Sequence, residues 1–211
     1  MRQLVRAVSV FLVFCGCGLA IGAGPRPRPE GPKVALLVLD MQEDFLGEKA
    51  KMPIAKEQIP AITAVVNSLI DEFEKDGRPI IYVKSEFPKI ALGNKIRHYA
   101  AIKGSPGTAI YKKIRISGDA IFSKKVPDAF NNDEFEAYLA AHQIGRLVVT
   151  GVFADQCVWA TTSTALEKKF QVTFIRNGVG ARSDKDVNKA CDKVSKKGGE
   201  VVDYKPGLRF D

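Results

Sequence analysis

Three reactive side chains stand where apolar runs end. Asp40 closes "KVALLVLD", Lys124 closes "DAIFSK", and Cys157 follows "RLVVTGV" in the turn "FADQC". Each alone has an ordinary structural explanation. A strand-ending acid caps the next turn, an exposed lysine is solvated, and a lone free cysteine packs as a small hydrophobe. Together they supply a nucleophile, a general base and a cation that holds charge, which is the equipment for acyl transfer through a covalent intermediate. Asp155 reads as an N-cap, making Cys157 the second residue of a helix, where free N–H groups and the helix dipole favour a thiolate. A neighbouring ammonium would lower the thiol pKa further. Lys125 competes with Lys124, and only one can face the site because side chains alternate along a strand.

The elements that must position these residues alternate. "KVALLVLD" has the unbroken apolar character of a strand buried on both faces. Ile59, Ile62, Val66, Leu69 and Phe73 follow at helical spacing and end at "KDG". "RPIIYVKSE" and, after a long Gly/Pro-containing excursion, "DAIFSK" are the next strands. "NNDEFEAYLAAHQIG" is a helix with Asn132 as N-cap and Gly145 past its end. "RLVVTGV", the helix carrying Cys157, and "QVTFIRN" come next. "SDKDVNKACDKVSKKGG" opens with Ser183 and Asp186 as a capping box and puts Cys191 on an apolar face. "EVVDY" closes the set. This alternation predicts a three-layer α-β-α, doubly wound sheet of about six mostly parallel strands. Ligands in such sheets bind at the carboxyl ends of the strands, where the strand order reverses.

Composition narrows the function classes. The 211 residues, 45% hydrophobic and 27% charged, suit one globular domain. The formal net charge of +8 is spread over helices and turns without a nucleic-acid motif, so no nucleic-acid partner is expected. "MRQLVRAVSVFLVFCGCGLAIGAG" reads as an export signal, an uncleaved membrane anchor, or, more weakly, a signal lipidated at Cys17, with Arg2 and Arg6 as its basic region. Its loss would remove those two charges and leave +6. Residues 25–32 are a Pro-rich tether, and the domain spans 33–211. Only Cys157 and Cys191 would remain in the mature chain, too few for a disulfide framework.

"ALLVLDMQEDF", "IFSKKVPDAF" and "VVTGVFADQCVWATTSTAL" resemble the three motif blocks of the isochorismatase-like cysteine hydrolases, and the resemblance runs over residues 33–204. It implies a catalytic triad of Asp40, Lys124 and Cys157. Lys124 is preferred to Lys125 because the family's lysine stands six residues before a Phe, here Phe130. The implied chemistry is cleavage of a C–N bond in a small amide or carbamoyl compound through a Cys157 thioester. Backbone N–H groups at Phe153 and Cys157 would hold the oxyanion, and a cis peptide is implied within residues 152–154. Phe45, Phe130 and Trp159 flank the blocks and would line an apolar cleft or pack in the core.

The pattern also departs from its relatives. Nicotinamidases bind a metal through an acid and two histidines after the second strand. Here Glu86 is followed by Phe87 and Pro88, and His98 is the only nearby histidine, so no metal and no cofactor are expected. Isochorismatases proper hydrolyse a vinyl ether without the cysteine, so Cys157 favours the amidase branch. Vinyl-ether hydrolysis and a non-catalytic binding member are the alternatives. A thiol redox protein fits worse, since no CxxC is present. Glu43, Ala154 and "RNG" at 176–178 replace more frequent residues near the substrate end of the sheet. Related proteins are often oligomers, and a homo-oligomer is expected. Small residues at Ala20 and Gly22, or Gly22 and Gly24, predict export processing that leaves an N-terminus at Ala23 or Pro25. Intact-mass measurement of the exported chain checks this, and a retained Met1 segment would mean an anchor.

Overall fold

A computed structural model describes residues 33–210; the expectations for residues 1–32 lie outside the described residues. β1 (Lys33–Leu39) shows why its run is unbroken. Ala35, Leu37 and Leu39 belong to one core cluster, and Leu36 and Val38 to another on the opposite face. The remaining strands are β2 (Ile80–Ser85), β3 (Ile121–Lys124), β4 (Ile144–Val152), β5 (Gln171–Gly180) and β6 (Glu200–Val202). They form one sheet in the order β3-β2-β1-β4-β5-β6. Every pairing is parallel, as the alternation of elements predicts.

Helices cover both faces. A short helix α1 (Glu43–Leu46) turns the chain after β1, and α2 (Ile59–Lys75) packs Val66, Leu69, Ile70 and Phe73 into the cluster of Leu36 and Val38. On the other face lie α3 (Asp133–Ala141), α4 (Trp159–Glu167) and α5 (Asp184–Lys196), which contribute Phe135, Leu139, Ala165, Val187 and Val194 to the cluster of Ala35, Leu37 and Leu39. Burying a Val, Leu, Ile or Phe side chain of this kind stabilises the fold by about 1.5–3 kcal/mol. The caps read from sequence hold in two cases. Asn132 accepts from the N–H groups of Glu134 and Phe135 at 2.8 and 3.3 Å. Ser183 Oγ accepts from Asp186 N at 3.2 Å. Gly145 does not stop α3: it lies inside β4, and Gln143, with φ 56°, makes the left-handed turn instead. No helix among the described residues is long and apolar enough to cross a membrane.

The topology places one switch point between β1 and β4, whose neighbours lead the chain away in opposite directions. There the two backbones come unusually close. Gly151 pairs with Leu39, has φ 122°, and a Cβ on it would lie 2.0 Å from the Leu39 carbonyl oxygen. The long crossover from β2 to β3 is fastened to the residues after β1. Glu43 N donates to Ala109 O at 2.9 Å, Tyr111 N to Met41 O at 2.7 Å, and Gln42 and Ile110 form an antiparallel bridge. Gly151→Ala should lower the unfolding free energy by about 2–5 kcal/mol through backbone strain and overpacking. Denaturant melts of the two chains measure this, and equal midpoints would contradict it.

Candidate active site

Asp40 is the first residue beyond β1, and it leaves the strand with φ 54°, a left-handed conformation that aspartate tolerates better than most residues. Its N–H still donates to Val83 O at 2.7 Å, so the carboxylate departs from a fixed point. Lys124 ends β3, two strands away. Its ammonium stands 2.8 Å from Asp40 Oδ2, with both side chains sealed from solvent at 0% and 1% exposure. The contact is ionic rather than an aligned hydrogen bond, and Oδ2 has no hydrogen-bond partner. Ser85, at the end of the intervening β2, fills the gap. Its hydroxyl donates to Asp40 Oδ1 at 2.9 Å and accepts from Lys124 Nζ at 2.7 Å.

Cys157 arrives from β4, on the other side of the switch point. A π-helical turn, Ala154–Val158, precedes α4, and the N-cap is Phe153, whose side chain caps nothing. This corrects the expectation for Asp155, which lies inside the first turn. The Phe153 carbonyl accepts from the N–H groups of Gln156 and Val158 at 3.0 and 3.2 Å, passing over Cys157 between them. The Val152–Phe153 peptide is cis. Cys157 is partly exposed, whereas Asp40 and Lys124 are closed off.

The charges around the thiol differ from the sequence expectation. Dense packing first, and the Asp40 carboxylate second, push the Cys157 thiol up to about 12; the opposing pull of Lys124 is weaker. A resting thiol, not a thiolate, is the consequence. Burial alone would lower the Lys124 ammonium, but Asp40 and then Cys157 hold it above the ordinary lysine range.

The turn "MQED" builds the wall beside the three residues. The Gln42 amide receives Ser85 N at 2.7 Å and donates to Ser85 O and Thr108 O, each at 3.0 Å. Asp44 accepts from Ala101 N at 2.7 Å. Its carboxylate lies where a Cβ on Gly107 would be, 2.0 Å away, so only glycine fits there. Glu43 accepts from Lys112 N at 2.8 Å, giving this longer acid a structural partner.

Residues 34–205 match the isochorismatase domain family. The chain belongs to the isochorismatase family. An uncharacterized member from Bacillus subtilis (strain 168), YddQ, is 28% identical over 134 residues, covering 63% of this chain and 69% of that protein. Two solved structures resemble the fold. The isochorismatase-like hydrolase of Alkaliphilus metalliredigens has a TM-score of 0.75 at 22% identity, covering 81% of this chain and 94% of that one. The N-carbamoylsarcosine amidase of Thermoplasma acidophilum has a TM-score of 0.73 at 25% identity, covering 83% and 99%.

Within this isochorismatase-family site, the aromatic residues named from sequence are packed. Phe45 meets Phe153 edge-on at 5.5 Å, so it touches the residue that opens the π-turn. Phe130 lies among Phe135 and Phe170 at 5.2 and 5.7 Å. Trp159 lies beneath the ammonium groups of Lys193 and Lys197 at 5.4 and 6.0 Å. Glu86 pairs with Lys84 at 2.8 Å, His98 is exposed, and no metal-competent cluster occurs among the described residues. Sequence reasoning missed Ser85 and Gln42, which follow no reactive-residue pattern. It also missed Arg182, an exposed guanidinium 5.8 Å from the Phe153 ring, without an ion pair among the described residues. Iodoacetamide should label Cys157 slowly at pH 7 and about tenfold faster per unit up to pH 10, as the thiolate fraction grows. A rate that levels off below pH 9, followed by peptide mass spectrometry, would contradict the raised thiol.

Proposed function

We propose that this chain is a cysteine hydrolase that cleaves a C–N bond in a small amide or carbamoyl compound. The observation that carries the reading is the sealed Asp40–Lys124 contact at 2.8 Å beside a partly exposed cysteine. Membership of the isochorismatase family and the likeness to an amidase structure support it.

A thiol pushed up to about 12 defines how the reaction must start. Cys157 waits protonated, and its proton leaves only as sulfur attacks the carbonyl carbon. Asp40 Oδ2, free of hydrogen-bond partners, accepts that proton. The carbonyl oxygen becomes an oxyanion held by backbone N–H groups at Phe153 and Cys157, where one donor is worth about 10²–10³ in rate. As the C–N bond breaks, Asp40 passes the proton to the departing nitrogen, leaving a Cys157 thioester and a free amine or ammonia. Water then attacks the thioester carbon, giving its proton to Asp40, which returns it to the sulfur as the acid leaves. Lys124 keeps the carboxylate charged between these transfers.

The same arrangement suits an exported enzyme. Oxidation follows thiolate character, so a protonated, closely packed thiol resists it. Arg182, exposed 5.8 Å from the Phe153 ring and without an ion pair among the described residues, offers a cation near the site, and the crossover from Phe87 to Gly118 contains no acidic residue. Anionic substrates are favoured on these grounds.

Ammonia release from a panel of amides, ureas and carbamoyl acids tests the function. The carbamoyl acids should be turned over best, and Cys157→Ala should reduce the rate by about 10³-fold or more. Asp40→Asn, which suits the left-handed position, should also abolish turnover. It should move iodoacetamide labelling of Cys157 to lower pH, because the opposing carboxylate charge is gone while Lys124 remains. Turnover that survives both substitutions would sink the mechanism.

A further inference from the structure

Ser85 sits at the one point from which a single hydroxyl reaches both charged members of the site. Its side chain is buried, with the residue 1% exposed. An ammonium can only donate, so Ser85 Oγ must accept from Lys124 at 2.7 Å. The one hydroxyl proton is thereby directed to Asp40 Oδ1 at 2.9 Å. The two carboxylate oxygens become inequivalent: Oδ1 takes the hydroxyl proton, while Oδ2 has only the ionic contact with Lys124 at 2.8 Å and no aligned hydrogen bond.

The serine is itself held in place by unusual means. It ends β2, where parallel pairing with β1 stops at Leu39 and Val83. Beyond that point the Gln42 side chain stands in for a neighbouring strand. Its amide oxygen takes Ser85 N at 2.7 Å and its amide nitrogen reaches Ser85 O at 3.0 Å. Gln42 is completely buried. A buried side-chain amide fully engaged with one residue's backbone rigidifies that residue.

We propose that Ser85 is a positioning residue of the reaction, whose hydroxyl pins Asp40 Oδ1 and so presents Oδ2 to the Cys157 thiol. This inference rests on the cysteine-hydrolase reading. Ser85 forms no bond to substrate and gives up no proton in the cycle. It acts through Asp40, by fixing the rotation of the carboxylate and by giving Lys124 a second acceptor.

The full chain and its variants can be compared with p-nitrophenyl acetate as the probe, following the nitrophenolate released on acylation. Ser85→Ala should slow acylation about tenfold or more, the scale of one lost hydrogen bond to charged groups. The half-saturating ester concentration should stay within about twofold, since the ester does not touch Ser85. Ser85→Thr restores the hydroxyl and should recover most of the rate. If Ser85→Ala does not fold, the isosteric pair Ser85→Thr and Ser85→Val poses the same question, with only the threonine variant expected to be fast. Acylation of Ser85→Ala at the parental rate overturns the proposal, as does a threonine variant as slow as the alanine one. A parent without Cys157-dependent acylation, shown against Cys157→Ala, overturns the cysteine-hydrolase reading and this inference with it. Loss of activity in Cys157→Ala but not in Ser85→Ala removes the serine's role alone.

Discussion

A carboxylate and an ammonium with almost no access to water are the central constraint on this molecule. Desolvating each ion costs several kcal/mol, and removing one partner from such a pair typically costs about 3–5 kcal/mol. Asp40 and Lys124 belong to strands separated by β2, so their contact at 2.8 Å requires three strands in register. Much of the nearby architecture serves this requirement. The left-handed turn at Asp40 aims the carboxylate along the sheet edge, and the close approach of Gly151 brings β4 against the same turn.

The pair also sets the character of the cysteine. A thiol beside a carboxylate in a dry setting stays protonated, even with an ammonium near, because burial and the negative charge act in the same direction. Helix-end arguments lead elsewhere, since they consider the dipole and the cation alone. The entry to α4 is a π-turn opened by Phe153, with Cys157 in its fourth position rather than at a simple N-terminus. In the proposed mechanism the thiol and the carboxylate therefore act as one unit, in which proton and sulfur move together.

Much of the fold was legible from pattern. The unbroken apolar character of "VALLVLD" reports burial on two faces, and the placement of Asp40, Lys124 and Cys157 after strands follows from that. Less was readable where the signal is contextual. Serine at a strand end is unremarkable in sequence, and Ser85 gains meaning only from what lies on either side. Gln42 substitutes a side chain for backbone pairing, an arrangement without periodicity. Gln143 takes a conformation usually given to glycine, which made Gly145 look like the helix stop. Phe130 and Trp159 flank the reactive residues in sequence, yet their side chains are engaged with Phe135 and Phe170 and with Lys193 and Lys197.

The site draws on residues 40, 85, 124 and 157, each at or shortly beyond the end of a different parallel strand. Contacts this distant in sequence form late and slowly, because long loops must close first. A chain interrupted by a protease between β1 and β4 could keep much of its secondary structure while losing the constellation. Chemical reactivity at one sulfur therefore reports on assembly of the four adjacent strands β3, β2, β1 and β4, distinguishing the completed native state from compact intermediates that spectroscopy of secondary structure would count as folded.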